Sequence, residues 1–61
     1  MYKPKEYEHY WFITSMGDVC SKAYCDNPRD RARKKFGNTF KTEQDAVKFL
    51  KLVRQLFKER L

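Results

Sequence analysis

The stretch Tyr7-Glu8-His9-Tyr10-Trp11-Phe12-Ile13-Thr14-Ser15-Met16-Gly17-Asp18-Val19-Cys20-Ser21-Lys22-Ala23-Tyr24-Cys25 decides the fold. Its first nine residues are dense in aromatic and β-branched side chains, which fit a pleated, half-buried surface and predict a strand. Met16-Gly17-Asp18 breaks that run with a glycine turn, and Val19–Cys25 reads as the returning strand. A loop of two to four residues cannot make a parallel crossover, so the two strands form an antiparallel hairpin. Along the first strand Tyr7, His9, Trp11 and Ile13 share one face, and Glu8, Tyr10, Phe12 and Thr14 share the other. Both faces carry large rings. A loop one residue longer exchanges which faces of the two strands join, so the register, and the choice of Trp11 or Phe12 as core, stays open here.

Downstream, Asp26-Asn27-Pro28 ends the hairpin. Asn27 suits an N-cap, Pro28 suits the first helical position, and Asp30 at the third complements the helix dipole. A short basic helix is predicted over residues 28–36, stopped by Gly37-Asn38, with Ala32 and Phe36 as its apolar anchors four residues apart. Thr39-Phe40-Lys41 has the makings of a third, edge strand. Thr42, with Asp45 three residues on, resembles a capping box and opens a long helix over residues 42–60. Ala46, Phe49, Leu50, Val53, Leu56, Phe57 and Leu61 recur along one face of it, with Lys48, Lys51, Arg54, Gln55 and Lys58 largely off that face. Residues 1–6 read as a polar, flexible lead-in. The fold class is α+β: a hairpin packed against one long C-terminal amphipathic helix, with a short basic helix between.

Sixty-one residues make one domain, with no room for a deep pocket beside a core. Aromatic residues are 16 % of the chain, so the core can be rich for its size, and a homodimer is a natural way to cover apolar surface left over. Fourteen Lys and Arg against eight Asp and Glu give a net charge of +6, which favours acidic partners such as nucleic acid or an acidic protein surface. No segment is apolar for long enough to span a membrane, and the first residues lack the apolar centre of a secretory signal, so a cytoplasmic location is expected. Cys20 and Cys25 lie five residues apart, roughly 16 Å along a strand, and point to opposite faces, which predicts reduced thiols. No metal or other cofactor is expected.

Three features carry functional readings. Arg29, Arg31, Arg33, Lys34 and Lys35 put five cations into seven residues, broken only by Asp30, and such a patch attracts phosphates. The bland alternative is a solvated segment in which Asp30 pairs a neighbour. Aromatic side chains left uncovered by the single long helix, Trp11 and Tyr24 foremost, are candidate partner-binding residues. Lys48, Lys51, Arg54 and Lys58 line the polar face of the long helix, more simply read as its solvated side. No catalytic constellation is visible: there is one histidine, His9, no glycine-rich loop, and no nucleophile beside a base, so no enzymatic activity is expected.

Tyr10-Trp11-Phe12-Ile13-x-Ser15-x-Gly17-Asp18-Val19, followed by Arg33-x-x-x-Gly37-Asn38-x-Phe40-Lys41-Thr42-x-x-x-Ala46, resembles a group of small, mostly uncharacterised proteins encoded by phages and prophages of Gram-positive bacteria. The resemblance covers most of residues 10–57. It implies a phage origin and the cytoplasm of an infected or lysogenic host, and it carries no functional residues over. Phe40-Lys41-Thr42 and Ala46 are also similar to the helix entry of the arm-site DNA-binding domains of tyrosine recombinases, where a long third strand occupies the place of residues 27–37. Two functions are therefore expected: a small basic binding module for nucleic acid or a nucleoprotein, or a phage-made inhibitor of a host protein such as a CRISPR-type defence nuclease. A structural accessory acting only as a homo-oligomer is the third reading.

Overall fold

The computed structural model describes residues 2–60; Met1 and Leu61 lie outside the described residues. The chain runs β1 (His9–Ile13), β2 (Val19–Ala23), α1 (Pro28–Phe36) and α2 (Glu43–Arg60). The strands form an antiparallel pair in which His9 opposes Ala23, Trp11 opposes Ser21 and Ile13 opposes Val19. This is the expected α+β architecture.

Local chemistry closes the turn. Gly17 sits at φ 82°, a left-handed conformation that favours glycine. The Thr14 N–H donates to the Asp18 carbonyl at 2.8 Å, and the Thr14 hydroxyl accepts from the N–H groups of Met16 and Asp18 at 3.3 and 3.1 Å. The hairpin is longer than its regular strands. At the open end the Tyr24 N–H donates to Glu8 and the Tyr7 N–H donates to Tyr24.

The register resolves the two faces. Tyr10 and Phe12, with Lys22 and Cys20 opposite, point to one side; Trp11 and Ile13 point to the other. Tyr10 is fully buried, and Phe12 and Tyr24 join it in the core cluster. α1 covers this face. α2 meets both strands on the opposite face, where Ile13 lines a crevice with Leu50 and Val53. The hairpin is the middle layer between two helices.

The third-strand expectation is met only by a single bridge. Phe40 and Trp11 exchange backbone hydrogen bonds of 2.8 and 2.9 Å, on the edge of β1 away from β2. Beside that bridge the Asn38 amide does what a strand residue's backbone would do: it accepts from the Ile13 N–H at 2.9 Å and donates to the Ile13 carbonyl at 2.8 Å. β1 is thus paired on both edges. Among the described residues, no backbone group outside β1 pairs with β2.

The lead-in, expected to be flexible, is packed. Pro4 is buried, Tyr2 lies against the core cluster, its hydroxyl donates to the His9 carbonyl at 3.1 Å, and its carbonyl accepts from the buried Thr39 hydroxyl at 2.7 Å. Two further expectations are corrected. Ala32 and Phe36 do not anchor α1: both are exposed, Phe36 at 83 %. The apolar face of α2 is not covered along its length either: among the described residues Ala46 alone is buried on it, while Phe49, Leu56 and Phe57 are about half exposed or more. The reason is length. Eighteen helical residues span about 27 Å, against about 17 Å for a five-residue strand, so the helix overshoots the hairpin. The molecule is accordingly elongated, 39 Å by 21 Å by 19 Å.

Candidate functional site

The basic segment is organised by its single acid. Asn27 caps α1 by accepting from the Asp30 N–H at 2.8 Å, with Pro28 in the first turn and Gly37 closing the helix in a left-handed conformation. This cap fixes Asp30 one turn in and facing the hairpin, where its side chain is completely buried. The carboxylate accepts from the Tyr10 hydroxyl, from Lys22 Nζ at 3.0 Å, from the Cys25 N–H at 2.8 Å and from Arg33 at 3.4 Å. Burial alone pushes this carboxyl up, but the Tyr10 hydroxyl, the Cys25 N–H and Lys22 outweigh it and hold the group below its usual value. Tyr10 shifts the opposite way: burial, then the neighbouring carboxylate, raise its phenol, which keeps it a donor.

Arg33 is committed to the interior. Its guanidinium lies 3.8 Å above the centre of the Phe12 ring and donates to the Tyr10 hydroxyl at 3.1 Å. A guanidinium stacked on a partly desolvated ring contributes on the order of 1–2 kcal/mol. These polar contacts, rather than Ala32 and Phe36, fasten α1 to the sheet.

The remaining cations face outward. Lys34 Nζ lies 4.9 Å from the centre of the Tyr24 ring, and Arg31 makes an exposed 3.8 Å pair with Asp26. Arg31, Lys34 and Lys35 converge with Lys3 of the lead-in around one shallow cleft, with Tyr24 as its floor. Tyr24 is only 4 % exposed, so it supports the cleft and offers no free ring face. Its phenol is raised by burial and by Asp26, to which its hydroxyl donates at 3.1 Å. Arg29 is exposed on α1 outside this cleft, and Trp11 is half-buried in the middle strand. Such a cleft can hold an anion through several flexible donors.

Neither a protein-family model, nor a curated protein, nor a solved structure matches this chain. Among the described residues no three of His, Cys, Asp and Glu gather as a metal site, and no helix is long and apolar enough to cross a membrane. Cys20 and Cys25 are both free and exposed.

Of the residues singled out by sequence, the fold brings Arg31, Lys34, Lys35 and Tyr24 together, turns Arg33 inward, and leaves Arg29 and Trp11 elsewhere. Lys3 was missed, because nothing in its own neighbourhood signals a partner about thirty residues away. Leu52 was missed as well. It stands 63 % exposed on α2 beside Phe49 and Leu56, and its place on the helix is plain from the three-residue spacing alone.

Proposed function

We propose that this chain is a small, non-catalytic, phage-type binding module that grips nucleic-acid phosphates with Lys3, Arg31, Lys34 and Lys35. One observation carries the reading. Asp30, the only acid in the run from Arg29 to Lys35, is drawn inside and matched by Lys22 and Arg33, which leaves the outward cations of α1 with the exposed Asp26 beside Arg31 as counter-charge. Flexible lysines with one arginine around a shallow cleft suit backbone phosphates rather than base edges, so binding is expected to be tolerant of sequence. The cytoplasm of an infected or lysogenic bacterium is the setting this reading requires.

Titration of short labelled duplex and single-stranded DNA and RNA at several salt concentrations tests it. Four phosphate contacts give a slope of about −3.6 in log affinity against log salt on duplex, and about −2.8 on single strands. Reversing charge at Arg31 and Lys35 together is expected to abolish most binding without unfolding the protein. An affinity indifferent to salt sinks the reading. The alternative is a phage-made inhibitor of a host protein such as a defence nuclease, and the exposed apolar residues of α2 favour it. Capture of a stoichiometric host protein that survives nuclease treatment would select it.

A further inference from the structure

α2 carries an apolar stripe that the rest of the chain does not cover. Leu52 is 63 % exposed, Leu56 61 %, Phe57 58 % and Phe49 48 %. Phe49 is fixed from behind by Phe40, ring centres 5.5 Å apart, and it shares a crevice with the exposed Phe36 and with Val53. Leu52, Leu56 and Phe49 fall within about 60° of one another around the helix at 3.6 residues per turn, so they form one stripe and not scattered exposures.

The charges beside the stripe say what covers it. Lys48 and Glu59 lie on the same flank of the stripe, four residues before Leu52 and three after Leu56. In an antiparallel two-fold pairing, the same flank of each helix meets its own counterpart. The register that sets Leu52 against Leu56 of a second copy also sets Lys48 beside Glu59 of that copy, and the symmetry makes each contact twice. A parallel pairing turns this flank toward the opposite flank of the second helix, which takes Lys48 away from Glu59, and it aligns the helix dipoles, which is unfavourable.

The area agrees. Half-exposed Phe49 offers roughly 100 Å², and the two leucines about twice that, or about 600 Å² of apolar surface over two copies. Apolar atoms make up about 60 % of such interfaces. The whole contact then comes to roughly 1,000 Å², the size of a weak, concentration-dependent interface.

We infer that the chain forms a two-fold homodimer through antiparallel pairing of α2 along Phe49, Leu52 and Leu56, with Lys48 and Glu59 of the two copies paired across it. None of these residues lines the basic cleft, so the inference stands or falls apart from nucleic-acid binding. Sedimentation equilibrium of the full chain, from about 1 µM to about 1 mM, covers the range a modest interface requires. A dimer is expected within it, and Leu52→Asp is expected to leave a folded monomer throughout. Lys48→Glu or Glu59→Lys alone is expected to weaken the dimer several-fold, and the double exchange to restore it. A wild-type chain that stays monomeric at the highest concentration, or a Leu52→Asp dimer as tight as wild type, overturns the inference. Failure of the double exchange to restore overturns the antiparallel register.

Discussion

The two helices invert the usual relation between apolar pattern and burial. α1 is nine residues long and mostly charged, with exposed Ala32 and Phe36, yet it is fastened to the hairpin by a fully buried carboxylate with four donors. α2 is twice as long, carries most of the chain's aliphatic side chains, and among its described residues buries completely only Ala46. The difference teaches that reach decides burial here. Asp30 is short, and Tyr10, Lys22 and Arg33 extend to it; the α2 stripe has nothing of comparable length opposite it. Every buried side-chain polar atom among the described residues has a hydrogen-bond partner, which is the condition for a polar contact to fasten a helix as well as apolar packing does.

The comparison can be broken at Asp30. Asp30→Ala is expected to cost about 3–5 kcal/mol, because it strands the Tyr10 hydroxyl and leaves Lys22 and Arg33 without their counter-charge. In a domain this small that is most of the total stability, so loss of the cooperative melt in circular dichroism is the predicted result. Acid attacks the same point. The Asp30 carboxyl is held below its unfolded value, so its contribution is fully present above about pH 5 and is lost as pH falls below about 3.9 toward the folded value. Melting temperature is therefore expected to be flat near neutrality and to drop below pH 4, with a shallower drop in Asp30→Asn. Tyr10→Phe keeps the ring and removes one donor to Asp30, and is expected to cost about 1–3 kcal/mol by urea titration. At the far end of the scale, Leu52→Gln is expected to move monomer stability by less than about 0.5 kcal/mol, because its side chain is mostly in water already. A large loss there, measured at high dilution, would show that the two helices are not so different.

Much of this fold was legible. The aromatic and β-branched run, Gly17, the Asn27-Pro28-Asp30 cap and the glycine stop at Gly37 are local signals, and local signals survive folding. What escaped depended on distance along the chain. Asp30 at the third helical position reads as a surface complement to the dipole, and only the arrival of Tyr10 from twenty residues upstream makes it interior. Lys3 joins the basic cleft because Thr39 and His9 hold Tyr2 in place. The overshoot of α2 was within reach of arithmetic, since strand and helix lengths can be compared before any packing is known. The face to be covered by α1 was not, because it turned on the hairpin register.

The Asn38 amide has one more consequence, for how copies of this protein meet in concentrated solution. By taking the Ile13 backbone groups and leaving Phe40 to take those of Trp11, it seals the outer side of β1 against a foreign strand. Among the described residues, the ladder still open belongs to β2, five residues in which Lys22, the fourth, points into the fold and Cys20 is exposed. Brevity protects that ladder from fibre growth, and oxidation of Cys20 between two molecules would undo the protection by holding two open ladders side by side.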